Sequence, residues 1–126
     1  MNANGHRTSL TQALGIYREL GVRGSEAEVL NDLGEVLARF ADSRQALDHH
    51  TQALAIARAI SAPLEEARAR EGSGHCLLRD GNIAGAATQW HEALAIYQQI
   101  GAPDAQRVQE ILCQHGSTAA AGLTRT

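Results

Sequence analysis

Ala13-Leu14-x-Ile16-Tyr17-x-x-Leu20-Gly21 returns forty residues later as Ala53-Leu54-x-Ile56-Ala57-x-x-Ile60-Ser61. It returns again as Ala93-Leu94-x-Ile96-Tyr97-x-x-Ile100-Gly101, at the same spacing of 40 and with no insertion. A fixed period of this size marks an array in which one supersecondary unit is copied and each copy buries its apolar face on the next. Such arrays bind other proteins or peptides far more often than they carry out chemistry.

Working outward from the motif, the apolar residues follow a helical period. Leu10, Leu14, Tyr17 and Leu20 form one stripe, as do Ala46, Leu47, Ala53, Leu54, Ala57 and Ile60. Trp90, Leu94, Tyr97 and Ile100 form the third. A second class of helix lies between them. It carries Ala27, Leu30, Leu33, Gly34 and Leu37 in one copy and Ala67, Arg70, Ser73, Gly74 and Leu77 in the next. The unit is helix, turn, helix, turn. The reading gives five helices near 8–21, 25–40, 43–61, 64–79 and 83–101, with a shorter sixth over 104–115.

The turns carry their own signatures. Asp42 and Asn82 stand where an N-cap side chain accepts a backbone N–H, and Gln45 has the spacing of a capping-box partner. Gly81 occupies a place that calls for a left-handed residue. Ala62-Pro63 and Ala102-Pro103 are expected to end the preceding helices. Residues 21–25 do the same without proline. The tail over 116–126 is small and weakly patterned, and is expected to be a linker or disordered end.

Glycine inside a helix costs about 1 kcal/mol relative to alanine. Gly34 and Gly74 take that cost at one register, which implies that a neighbouring helix lies close against each. Cys76 and Cys113 shift back by whole repeats onto Val36 and Leu33, so both are expected to be small buried hydrophobes.

Composition limits the function classes. Among 126 residues, hydrophobic content is 44% and aromatic content 3%, so Ala and Leu must build the core. The net charge of -3 and the lack of a basic stripe argue against direct nucleic-acid binding. The polar first residues do not resemble a signal peptide, and no apolar run is long enough to span a bilayer. A cytoplasmic location with reduced thiols is the simplest expectation. No catalytic triad is readable. Arg70-Glu71-Gly72-Ser73-Gly74-His75 lacks the Lys-Ser or Lys-Thr of a phosphate loop. The adjacent His49 and His50 point about 100° apart on a helix and cannot share a metal well. The sequence therefore implies no cofactor, no metal and no enzyme activity.

A small residue deep in the first helix (Gly34, Gly74), one early in the second (Ala46, Ala86) and another later (Ala53, Ala93) resemble the tetratricopeptide repeat. Trp90 is the bulky residue expected between the two alanines. The earlier copy has His50 there, a departure, and the terminal proline is absent from its usual place. The spacing exceeds the basic repeat by about one and a half helical turns. The resemblance implies an all-α fold of about six antiparallel helices, stacked as a right-handed superhelical solenoid. It places a half repeat at 8–24, repeats at 25–63 and 64–103, and a half repeat at 104–115. Residues 1–7 are left as a disordered or appended N-terminus. The longer motif is similar to repeats of bacterial signal-transduction ATPases and antibiotic-regulatory transcription factors. The expected function is therefore a protein-interaction or regulatory module from a larger bacterial regulator. A peptide- or small-ligand-sensing domain and an enzyme accessory domain are the alternatives.

In this class the first helix of each pair lines the concave side. The candidate partner groove is Glu28, Asn31, Glu35 and Arg39, with Arg68, Glu71, His75 and Arg79 in the next copy. These positions form either a peptide groove or a solvated face with pairs such as Glu35–Arg39. The known carboxylate clamp of some relatives does not carry over, since Glu35 and Gly72 stand where asparagine and a cation are expected. Neither terminal half repeat looks like a polar cap, so the chain reads as a segment of a longer protein. Unpaired stripes on the first and last helices, Leu10 to Leu20 and Ile111-Leu112, would favour a homodimer through those ends.

Overall fold

The computed structural model describes residues 3–40 and 42–124, with side-chain surroundings over 5–40 and 42–115. Six helices follow one another: α1 (Ala3–Leu20), α2 (Arg23–Arg39), α3 (Ser43–Ala59), α4 (Pro63–Arg79), α5 (Ile83–Gln99) and α6 (Asp104–Thr124). Each packs on the next, and α2 also touches α4. The described residues contain no strand. The fold is all-α, a helical repeat solenoid in which α2 and α4 are the first helices of successive pairs.

Turn chemistry sets the helix ends. Gly21, Gly81 and Gly101 have φ of 71°, 85° and 69°, the left-handed conformation that glycine enters without a Cβ penalty. Ser61 occupies the repeat equivalent of Gly21 and adopts φ 58° despite its side chain. After α1, α3, α4 and α5 the same two bonds close the helix. Val22 N–H reaches the Tyr17 carbonyl at 3.0 Å and Gly21 N–H the Arg18 carbonyl at 3.3 Å, with the pattern repeated at Ala62, Asn82 and Ala102. This is the Schellman arrangement. Pro63 has a different task from the one expected. Pro63 is the first residue of α4, where its missing N–H costs nothing, so it starts a helix rather than stopping one.

Asp42 and Asn82 cap α3 and α5 by accepting from Gln45 N at 3.2 Å and Gly85 N at 2.9 Å. The capping box does not close. The Gln45 side chain accepts from Arg7 at 3.3 Å, and Asp42 N–H goes to the Leu37 carbonyl. Two helices are longer than the periodicity predicts. α1 begins at Ala3. The alanines at 119–121 have the highest helix propensity of any residue, and α6 continues to Thr124 instead of ending at His115.

The core is built on repeat positions. Ala27 and Ala67, Ala46 and Ala86, and Ala53 and Ala93 are all fully buried. Large rings fill the space those alanines leave. Trp90 and, one repeat earlier, His50 are both buried on the inner face of a second helix. The glycines exist to admit these rings. A Cβ on Gly74 would lie 2.4 Å from Trp90 Nε1. A Cβ on Gly34 would lie 2.4 Å from His50 Nε2, and one on Gly72 2.3 Å from the same atom. The imidazole is thus held between bare backbone of α2 and α4.

The ends of the array depart from the repeat arithmetic. Leu10, Ala13, Leu14 and Tyr17 of α1 join the cluster formed by Val29, Leu30 and Leu33 of α2. Val108 and Leu112 of α6 are buried with Trp90 and Tyr97, and Ile111 packs beside them. The stripes invoked for a homodimer are therefore largely covered within one chain, leaving Leu20 at 69% exposed. The far side of α6 is a polar surface of Gln106, Gln109, Glu110, Cys113 and Gln114, all exposed. The equivalent residues of α2 include Val29, Leu30 and Leu33, which are buried. Among the described residues this face of α6 is polar where the equivalent face of α2 is apolar. Cys113, on this face, is exposed rather than buried: among the described residues no helix packs where Leu33 meets its neighbours. Cys76 is buried as expected, and burial pushes its thiol pKa up.

A charged cleft across the first helices as the candidate site

A cleft of about 670 Å³ crosses α2, α4 and the start of α6. Six of the eight residues expected in a groove line it: Glu35, Arg39, Arg68, Glu71, His75 and Arg79. Their common periodicity on α2 and α4 brings them to one side of the stack.

The other two do not line it. Glu28 is exposed elsewhere on α2. Asn31 is fully buried. Its amide donates to the Glu65 carbonyl and carboxylate at 3.1 and 3.0 Å, and its oxygen meets His50 Nδ1 at 2.9 Å. Asn31 is thus part of the core and corrects the groove expectation. Its two donor bonds leave the amide oxygen as the acceptor, so His50 Nδ1 carries the proton and Nε2 the lone pair.

Glu71 is the repeat equivalent of Asn31, and its side chain ties three helices together. Its carboxylate accepts from Tyr97 of α5 at 2.9 Å and from Arg107 of α6 at 2.8 and 2.9 Å. Its backbone carbonyl accepts from Trp90 Nε1 at 3.3 Å. Burial pushes this carboxyl up. His75, the Arg107 guanidinium and the Tyr97 hydroxyl outweigh burial and hold it at about 2. His75 stands off at 3.7 Å, so the two-pronged Arg107 pair is the stronger hold by geometry.

Arg68 is the second junction. It pairs with Asp32 at 2.8 Å, Glu35 at 3.1 Å and Glu65 at 2.9 Å. Burial lowers its pKa, and these three carboxylates outweigh that and raise it. The expected Glu35–Arg39 pair along α2 is replaced by this bond from α2 to α4.

Sequence reasoning missed three polar side chains that line the cleft: His50, Asp104 and Arg107. Arg107 stands one repeat after Ala67, a fully buried alanine, so its position alone does not mark it as a cleft residue. At the last helix of the stack that position is free to extend a guanidinium toward Glu71. For His50, its departure from the bulky apolar residue expected at its position was the available signal.

Burial, followed by the charge of Arg68, lowers the His50 pKa from 6.5 to about 4. The sign follows from linkage. Above pH 6.5 the ring is neutral in both states and the full stability is present. Between 6.5 and about 4 the unfolded chain takes up a proton that the folded chain refuses, so stability falls as pH falls. The shift corresponds to about 3 kcal/mol. Glu71 acts in a lower window, its contribution being lost between 4.5 and about 2. Chemical denaturation is expected to show the first loss already between pH 6.5 and 4.5. His50→Gln, less stable at neutral pH, should lack it. An unchanged pH slope in that variant would remove His50 as the cause.

Among the described residues no group of three His, Cys, Asp or Glu side chains could hold a metal ion. No described helix is long and apolar enough to cross a membrane. No curated protein matches the sequence. The tetratricopeptide repeat family model matches residues 7–59, from α1 to the end of α3. With the helix pairs stacked as they are, that match supports a tetratricopeptide-repeat domain.

Proposed function

We propose that this chain is a protein-interaction module that holds an extended segment of a partner in the cleft across α2, α4 and α6. Tetratricopeptide repeats generally mediate protein–protein interaction. The observation that carries the reading is the cleft itself, which is continuous over two repeat units and walled by charged side chains on rigid helices. A volume of about 670 Å³ also falls within the range of small-molecule sites, so a small-ligand sensor is the second reading. We further propose that the module serves a larger bacterial signalling or transcriptional regulator in the cytoplasm. The support is the long 40-residue repeat with its Ala-Leu-x-Ile-Tyr form, together with two free thiols.

Random-peptide display on the intact chain, followed by NMR mapping with the selected peptide, tests the binding reading. Saturable shifts are expected at Glu35, Arg39, His75 and Arg79, with none at Thr51, Ala55 and Arg58 on the exposed face of α3. Shifts confined to α3, or no selectable peptide, would overturn it.

A further inference from the structure

We infer that the cleft recognises an acidic side chain of its partner peptide and receives it between Arg39 and Arg79. This rests on the peptide-binding reading above and names the chemistry of the bound segment.

The inference comes from accounting for every charge on the cleft walls. The carboxylate of Glu35 is taken by Arg68, and those of Glu71 and Asp104 by Arg107. Arg68 has two further acids, Asp32 and Glu65. All the cleft's carboxylates are thus spent on two arginines. Arg39 and Arg79 are left with none among the described residues.

These two cations also line the same cleft. Arg79 Nη1 donates to the Ala38 carbonyl, one residue before Arg39 in α2. The Arg79 head group, rooted on α4, is thereby brought to the backbone that carries Arg39. Both stand in the last turn of their helices, where the carbonyl end of the helix favours a cation. That accounts for an arginine on each helix, but not for the reach of Arg79 from α4 to α2. Two like charges facing one cleft repel, and an anion between them relieves the repulsion. The planar guanidinium fork matches a carboxylate in two-bond geometry. Half-buried Ala38 and Leu78 lie beside the two arginines and offer apolar contact to the residue next to the acid.

The remaining walls limit what the anion can be part of. Glu35, Glu71 and Asp104 face the same cleft, and the chain carries a net charge of -3. A nucleic-acid backbone, charged at every step, would meet those acids. A peptide with one acid at the arginine end and neutral residues beyond it avoids them.

The test compares wild type with R39Q/R79Q, using peptides selected from a random display library on the 126-residue wild-type chain. Both side chains are exposed, and circular dichroism confirms that the variant retains its helices. Selected peptides are expected to be enriched in Asp or Glu at one position. Their affinity should fall about tenfold or more on R39Q/R79Q, or when that acid is changed to its amide. Peptides that map to the cleft but show no acidic preference, or bind the double variant unchanged, would overturn the inference and leave the peptide-binding reading intact. If no peptide maps to the cleft, the reading beneath it falls as well.

Discussion

Trp90→Ala is expected to lower the unfolding free energy by about 3–5 kcal/mol, the range for truncating a buried large aromatic. The indole is fully buried among Ala67, Ala86, Ala93, Tyr97 and Val108 of three successive helices. Its N–H is satisfied by the Glu71 carbonyl at 3.3 Å, and its ring meets His75 edge-on at a centroid distance of 5.5 Å. The walls around it are mostly alanine and glycine backbone, which cannot extend to fill the cavity. Loss of the ring therefore uncouples α4, α5 and α6 together. Urea denaturation followed by circular dichroism measures the effect. A loss below about 1 kcal/mol would show that the surrounding helices collapse onto the cavity, and that the ring is not their keystone.

Gly74→Ala is expected to destabilise, and its sign is the informative part. On an exposed helix the exchange would stabilise by up to about 1 kcal/mol through propensity. Here the new methyl group would lie 2.4 to 2.9 Å from three atoms of the Trp90 ring, which is buried on all sides. Overpacking of this kind costs about 1–3 kcal/mol. In a Trp90→Ala background the obstruction is gone, and Gly74→Ala should become neutral or stabilising. This reversal is a double-mutant-cycle signature of direct contact. Additive effects would mean that the glycine is small for another reason. Gly34→Ala should behave the same way against His50, with a larger penalty on the ring's freedom. Gly72 of α4 meets the same ring atoms, a Cβ there standing 2.3 Å from Nε2.

Both glycine predictions were legible in the sequence as far as position goes. Gly34 and Gly74 are 40 residues apart, and a repeated helix-weakening choice needs a packing reason. The ring that answers each glycine, and the role of Gly72 in the same contact, required the helices to be placed. The Asp42 and Asn82 caps and the left-handed Gly81 were readable because a cap bonds within three residues of itself. The capping box at Gln45 was not, because Arg7 competes for that side chain from 38 residues away.

The cleft divides along the same line. Six of its residues follow from helical period on α2 and α4. Asn31 has the same period and lies in the core, because a short amide fits between His50 and Glu65. Glu71, its equivalent, has the longer acid side chain and reaches Tyr97 and Arg107 instead. No spacing rule distinguishes the two. The outcome depends on which partner lies across the helix interface, and at position 71 that partner comes from α6.

The sequence by itself determined the repeat: its length, its helix pairs, its alanine core and the register of its close contacts. These are properties each unit shares with its copies, since every copy meets the same kind of neighbour. The tertiary structure alone decided what happens where that equivalence ends. Among the described residues none packs against the outer face of α6, so Cys113 is exposed where Leu33 is buried. Arg107 reaches into the cleft where Ala67 stays inside, because a long side chain takes the partner within reach, and only the assembled stack fixes which partner that is.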